Sequence, residues 1–123
     1  MTSAVPKNDI SLQSFQKLIR EMYFQKDKER GIPATFLWLS EEIGELAAAL
    51  RETTPSEQER ISADEFKARQ ENLAAEFADV LAWLATIANV AEIDLGQAVH
   101  KKYGSGCPGC QQFICQCPDS EKP

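Results

Sequence analysis

The stretch FLWLSEEIGELAAAL, residues 36–50, decides how this chain folds and contains its most unusual feature. Leu, Ala and Glu are strong helix formers, and no proline interrupts them, so the stretch predicts a helix. Glu42 and Glu45, with Trp38 on the same stripe, lie at the edge of the apolar sector rather than opposite it. Acids normally occupy the opposite face of such a helix, so these two require an explanation. At 100° per residue the apolar sector contains Phe36, Leu39, Ile43, Leu46, Ala47 and Leu50.

A second stretch, AAEFADVLAWLA at residues 74–85, repeats this arrangement. Glu76 and Asp79 are again three residues apart beside an apolar sector, and Trp83 follows one turn later. If the two helices pack antiparallel, as neighbours joined by a modest loop do, the two acid pairs face each other. Four close carboxylates repel one another unless a cation lies between them, and oxygen-seeking Mg²⁺ or Mn²⁺ suits such a site. The alternative is a set of ordinary solvated surface acids. The predicted magnesium ligands are Glu42, Glu45, Glu76 and Asp79.

Helical spacing of apolar residues recurs in four segments, and no alternating strand pattern persists. Gly31 and Pro33 end the first segment, and Ser62 with Glu65 has capping-box spacing at the start of the third. The polar residues between the second and third segments predict a loop. The sequence therefore predicts an all-α protomer with four helices. These span about residues 9–29, 34–52, 62–89 and 94–102.

The chain carries a net charge of −6, and the acidity is concentrated in its middle. Residues 35–100 have four Lys/Arg against thirteen Asp/Glu, whereas both flanking parts are slightly positive. This balance argues against a nucleic acid polymer as partner. No window is expected to be long and apolar enough to span a membrane. The N-terminus has no apolar leader segment, so the expected compartment is the cytoplasm.

All four cysteines fall in the last 17 residues, as C-P-G-C followed by C-Q-C. A C-P-x-C turn presents two sulfurs to one tetrahedral ion, so a structural Zn²⁺ is the first interpretation. An iron–sulfur cluster, a disulfide or free thiols are the alternatives. We therefore expect a helical domain at residues 1–103 and a short cysteine-rich tail at residues 104–123. The predicted zinc ligands are Cys107, Cys110, Cys115 and Cys117.

The motifs EEIGEL and EFAD, followed by DLGQAVHKK, resemble the E-E-x-x-E … E-x-x-D signature of the MazG-like all-α nucleotide pyrophosphohydrolases. The resemblance covers roughly residues 30–103 and implies an oligomeric helical bundle. It also implies hydrolysis of a ribo- or deoxyribonucleoside triphosphate to the monophosphate and pyrophosphate. By position, the resemblance implies that the four predicted ligands bind Mg²⁺. It also implies that Glu41 is an additional catalytic acid and that Lys102 is a catalytic lysine that binds phosphate. The cysteine tail departs from the minimal pattern of the family.

Several further residues are candidates for contact with substrate. Trp38 and Trp83 could stack on a base, although core or subunit packing is the commoner role of tryptophan at such positions. Lys26, Lys28 and Arg30 could hold outer phosphates, but an ordinary charged helix end is the favoured interpretation of KDKER.

Helices of this size bury little apolar surface alone, and the alanine-rich residues 46–50 and 73–75 permit close packing. We therefore expect a homodimer or homotetramer, which the resemblance also implies, and the resemblance further implies that it binds a nucleoside triphosphate. The alternative function is a non-catalytic, zinc-containing helical interaction module in which the acids are only structural.

Overall fold

The computed structural model of the protein describes residues 9–118, which form helices and no strand. The all-α class is confirmed, and the four predicted segments correspond to α1, α2, α4 and α5. The predicted outer limits of the helical domain and the tail, at residues 1 and 123, lie outside the described residues. The helices are α1 (Leu12–Arg30), α2 (Ile32–Arg51), α3 (Pro55–Arg60), α4 (Ala63–Val90) and α5 (Leu95–Tyr103).

Side-chain caps begin three of the predicted helices. The hydroxyls of Ser11 and Ser62 accept hydrogen bonds of 3.0 and 3.1 Å from the backbone N–H groups three residues later. The Asp94 carboxylate accepts the equivalent bond at 2.9 Å. Each cap satisfies an amide that the first helical turn leaves free, so local sequence fixes these helix starts.

The prediction of a loop between the second and third segments is wrong, because Pro55–Arg60 form the short helix α3. The Thr54 hydroxyl caps this helix by accepting from the Glu57 N–H at 3.3 Å, and a proline at the first position needs no N–H donor. Arg69 of α4 pairs with Glu57 at 3.1 Å and donates to the Glu52 carbonyl at 3.2 Å. The polar composition of this stretch hid a T-P-S-E capping signal.

A single residue, Gly31, turns the chain from α1 into α2. Its φ of 80° lies in the left-handed region, which glycine adopts without a steric penalty. Its N–H donates to the Asp27 carbonyl at 3.0 Å, and its carbonyl accepts from the amide (3.1 Å) and the hydroxyl (2.6 Å) of Thr35. These bonds fix the end of α1 against the start of α2.

Helix α4 is the centre of the protomer, because α1 and α2 both pack along it but contact each other little. Trp38, early in α2, lies against Trp83, late in α4, whereas Arg69, early in α4, reaches the end of α2. Helices α2 and α4 are therefore antiparallel, as the sequence predicts. The buried apolar core of the described residues is small, and three of its five members are alanines: Ile19, Leu39, Ala49, Ala85 and Ala88.

A buried glutamine joins α1 to the turn between α4 and α5. The Gln16 side-chain amide donates to the Ile93 carbonyl at 2.7 Å, and its oxygen accepts from the Leu95 N–H at 2.8 Å. The Asn89 side chain donates to the Gln16 backbone carbonyl at 3.2 Å. A polar side chain is stable in this buried position because its donor and its acceptor are both satisfied. These contacts hold the start of α5 against α1.

Much of the predicted apolar sector is not buried within the protomer. Phe36, Ile43 and Leu50 recur every seven residues along α2, and Phe77 and Leu84 have the same spacing on α4. Each of the five is between 43% and 58% exposed. We call these five residues the exposed apolar face. Seven-residue spacing is typical of helices that pack against another helix along their length.

By length and composition, α4 would also be able to cross a membrane, so the expectation that no window could do so is wrong. Within the protein this helix packs against both α1 and α2. It also carries the acids Glu76 and Asp79 among its apolar residues. Only 22% of its apolar window is buried within the protomer, and Phe77 and Leu84 of the exposed apolar face lie on this helix.

Candidate metal centre and adjoining cavity

Three carboxylates from two helices meet on one side of the α2–α4 pair. Ligand oxygens of Glu42, Glu45 and Glu76 all lie within 4.8 Å of one another. The three-residue spacing places Glu42 and Glu45 on neighbouring turns of one face of α2, and the antiparallel packing brings Glu76 opposite them. The structure thus brings together three of the four predicted magnesium ligands. Their role as ligands stays a prediction.

Burial makes this cluster unfavourable without a cation. The Oε2 atoms of Glu42 and Glu76 are buried and have no hydrogen-bond partner within the described part of the chain. Burial raises the pKa of Glu42, and the neighbouring carboxylates, first of all Glu45, raise it further. The pKa of Glu76 is raised by burial and then by the charges of Glu45 and Asp79. A divalent cation would supply the partner that these oxygens lack.

Asp79 and Glu41 border the cluster without joining it. Asp79 is not one of the three residues whose oxygens lie within 4.8 Å, but its charge helps to raise the pKa of both Glu42 and Glu76. Glu41 precedes Glu42 on α2 and is exposed. The fourth ligand at Asp79 and the catalytic acid at Glu41 stay predictions.

Trp38 and Trp83 stack on each other one turn away from the acids. Their ring centroids are 6.0 Å apart, and their planes differ by 10°. The Arg30 guanidinium lies 5.1 Å from the centroid of the Trp83 ring, which is a cation–π distance. The pair thus packs α2 against α4, while Trp38 remains 47% exposed. A contact of either ring with substrate stays a prediction.

The predicted phosphate-binding residues lie on other helices. Lys102 is exposed on α5, and its Nζ lies 5.6 Å from the centroid of the Tyr103 ring. Lys26 and Lys28 are exposed near the end of α1. Within residues 9–118, none of these lysines forms an ion pair with the carboxylate cluster. Arg30 differs from an ordinary helix-end residue, because it pairs with buried Asp27 at 3.0 Å.

A cavity of about 330 Å³ opens between α1 and α4 beside Trp83. Asp27 is only 3% exposed at its wall. Its Oδ1 accepts from Arg30, and its Oδ2 is buried with no hydrogen-bond partner from the residues that the structure describes. Sequence analysis missed Asp27, although Ile19, Tyr23 and Asp27 recur every four residues on one side of α1. The cavity is lined by Ile19, Tyr23, Lys26, Asp27, Arg30, Ala82, Trp83 and Thr86.

The four cysteine sulfurs also come together, all within 4.8 Å of one another. The Cys107 sulfur is 3.6 Å from that of Cys115 and 3.7 Å from that of Cys117, and all four cysteines are free. The Gln111 N–H donates to the Cys107 carbonyl at 2.6 Å, and Gln111 has a φ of 59°, which turns the chain back. The described part of the tail is therefore compact, with sulfurs at its centre.

Backbone amides are directed at the sulfurs of this cluster. The Gln116 N–H donates to the Cys110 sulfur at 3.2 Å, and amide hydrogen bonds, this one first, lower the pKa of Cys110 to about 6. Amides of the C-P-G-C turn lower the pKa of Cys107 in the same way. The pKa of Cys117 is raised to about 12, because its thiol bonds to neighbouring sulfurs, first of all Cys115. Amide hydrogen bonds of this kind stabilise thiolates, which are the form that binds metals.

Fold and site together define a small all-α protein built around an acid cluster on two antiparallel helices. The sequence model of the MazG nucleotide pyrophosphohydrolase domain matches residues 31–110, and the chain belongs to this family. The match extends from the Gly31 corner through α2, α3, α4 and α5, and it includes all four predicted magnesium ligands. No curated protein matches the chain.

Proposed function

We propose that the protein hydrolyses nucleoside triphosphates to a nucleoside monophosphate and pyrophosphate, and that it uses Mg²⁺ or Mn²⁺ to do so. The observation that carries the proposal is the pair of buried, unpartnered oxygens of Glu42 and Glu76 within the acid cluster. Membership of a nucleotide pyrophosphohydrolase family supports the class of substrate. Because a triphosphate is strongly anionic, an acidic site needs cations to bind it.

The residues that would hold the cation are Glu42, Glu45, Glu76 and Asp79. The bound cation supplies charge neutralisation at the phosphate oxygens. Because the four carboxylates sit on two packed helices, their separation is set by the backbone and not by flexible loops. This rigidity supports a site formed before the nucleotide binds.

The remaining roles concern water, phosphate and base. We assign to Glu41 the role of general base, which accepts the proton of the attacking water. The oxygen of this water bonds to the α-phosphorus while the bond from that phosphorus to the α–β bridging oxygen breaks. Pyrophosphate leaves with the bridging oxygen. We assign phosphate binding to Lys102, and contact with the base or the sugar to Trp38 and Trp83.

The test is product analysis on a panel of ribo- and deoxyribonucleoside triphosphates, with Mg²⁺, with Mn²⁺ and with a chelator. We expect cation-dependent release of monophosphate and pyrophosphate, and loss of this activity in Glu42→Gln with an unchanged helical circular dichroism spectrum. Glu71→Gln is the matched control, because Glu71 is exposed on α4 outside the cluster. Orthophosphate as the first product, or full activity of Glu42→Gln, would contradict the proposal.

We also propose that the four cysteines hold a structural Zn²⁺. The support is the approach of all four sulfurs to within 4.8 Å in a tail that has no apolar core. Metal analysis of protein purified under reducing conditions should find about one zinc per chain. Zinc without any nucleotide hydrolysis would favour the alternative function, a non-catalytic interaction module.

We propose that the exposed apolar face is covered by a second copy of the chain, in a homodimer or homotetramer. The support is the seven-residue spacing of its members on both helices. Phe77→Glu should lower the molar mass measured by light scattering. Val99→Glu is the control, because Val99 is 48% exposed on α5, outside this face. A monomeric wild-type protein would contradict this proposal.

We place the protein in the cytoplasm and propose neither a nucleic acid polymer nor a membrane as its partner. Four free thiols are stable in a reducing compartment, and a net charge of −6 disfavours binding to a polyanion. Recovery of the protein in the membrane fraction of its cells would contradict this placement.

A further inference from the structure

The cavity between α1 and α4 has an unsatisfied acceptor in its wall. Asp27 is almost fully buried, and one of its carboxylate oxygens pairs with Arg30 at 3.0 Å, while the other has no hydrogen-bond partner among residues 9–118. Buried carboxylate oxygens are nearly always hydrogen-bonded, because removal from water without a donor is unfavourable. A donor group of a bound molecule would supply this missing partner.

The walls of this cavity suit a flat, partly polar group. Trp83, Tyr23 and Ala82 supply apolar and aromatic surface, and Asp27, Arg30 and Thr86 supply polar atoms. Pockets for small ligands combine these two features and have volumes of about 300–1,000 Å³. The observed volume of about 330 Å³ lies at the lower end of that range, which fits one ring system and not a whole nucleotide.

The position of the cavity relates it to the carboxylate cluster. Trp83 follows Asp79 by four residues on α4, which is about 6 Å along the helix axis. In a nucleotide the sugar separates the phosphates from the base. A triphosphate held at the acids would therefore place its base one helical turn away, at the cavity.

We propose that this cavity binds the nucleobase and that Asp27 selects cytosine or adenine, the bases whose Watson–Crick edge places an exocyclic amino group next to an unprotonated ring nitrogen. This inference rests on the proposed hydrolysis of nucleotides. The amino group donates to the free oxygen of Asp27, which the soft terminal torsion of an aspartate can turn toward the cavity. The paired Arg30 supplies an adjacent donor for the ring nitrogen. Uracil, thymine and hypoxanthine present a carbonyl oxygen in place of the amino group, and two acceptors repel.

The matched comparisons are dCTP against dUTP and dATP against dITP, since the members of each pair differ only at this edge of the base. A hydrogen bond to a charged group discriminates by about ten- to hundredfold, so kcat/KM should be higher by that factor for dCTP and dATP. In Asp27→Asn the side-chain amide can still accept from Arg30 but offers a donor to the base. The ratio of dCTP to dUTP should fall at least tenfold in this variant.

Asp64→Asn is the matched control, because Asp64 is exposed in the first turn of α4 and its substitution should leave the ratio unchanged. Binding of dCMP and dUMP without added metal, followed by the fluorescence of the two tryptophans, provides a readout that is independent of hydrolysis. If Asp27→Asn does not fold, as judged by circular dichroism, the wild-type comparisons of dCTP with dUTP and of dATP with dITP test the proposal instead.

The outcomes separate this inference from the proposed function. Tighter binding of dCMP than of dUMP without hydrolysis of any triphosphate would support the base site and overturn the proposed reaction. Hydrolysis of dCTP and dUTP at rates within threefold of each other, with an unchanged ratio in Asp27→Asn, would support the reaction and overturn the role of Asp27.

Discussion

Replacing Gln16 with leucine should lower the free energy of unfolding by several kcal/mol. The side chain is 8% exposed, and its two hydrogen bonds, to the Ile93 carbonyl and from the Leu95 N–H, join α1 to the start of α5. Leucine has a similar volume but no polar atoms, so both backbone groups lose their partner. An unsatisfied buried group costs about 1–3 kcal/mol, which gives about 2–5 kcal/mol for the pair after partial offset by apolar burial.

Urea unfolding at one fixed protein concentration, followed by circular dichroism, measures this change. Hydrogen exchange adds a local readout, because α5 should lose protection in the variant while α2 keeps it. Gln70→Leu is the control, since Gln70 is exposed on α4 and its substitution should change stability by less than about 0.5 kcal/mol. A loss in Gln16→Leu no larger than in this control, or equal loss of protection in α2 and α5, would refute the reasoning.

Three further predictions follow from the acid cluster, the corner and the tail. In metal-free protein the raised pKa values of Glu42 and Glu76 mean that the folded state binds more protons than the unfolded state between about pH 4.5 and the raised values, so stability falls as the pH rises through that window. Glu42→Gln should therefore raise the melting temperature of the metal-free protein, and by more near neutral pH than near about pH 5, whereas an equal rise at both would contradict this cause. Gly31→Ala should lower the free energy of unfolding by about 1–2 kcal/mol, because a φ of 80° is unfavourable for alanine. Thermal unfolding measures this change, and unchanged stability would contradict the positive φ at this corner. Replacing Cys107 and Cys110 with serine should release zinc and expose the tail to protease, while magnesium-dependent hydrolysis is retained. Loss of hydrolysis together with the zinc would instead indicate that the acid cluster depends on the tail.

The acid cluster was predictable because helix geometry converts spacing into position. Two carboxylates three residues apart must share a face, and two such helices that pack antiparallel must bring their acids together. The starts of α1, α4 and α5 were predictable for a similar reason, since a capping side chain acts on amides only three residues away.

Features that depend on distant partners could not be predicted in this way. The role of Gln16 requires a turn more than seventy residues further along the chain. Asp27 lies in a run of charged residues, and only packing against α4 shows that it is buried. The extent of the exposed apolar face was also hidden, because periodicity identifies an apolar side of a helix but not what covers it.

The central position of α4 has a consequence for how the protein acquires its structure during synthesis. Helices α1 and α2 are made first, but each packs mainly against α4 and little against the other. Residues 9–60 therefore leave the ribosome before the helix that they pack against and expose the apolar side of α2. At about 5–20 residues per second, the chain requires several more seconds before α4 is complete. We expect the nascent chain to fold in one late step, which makes this interval the time at which chaperones are most needed.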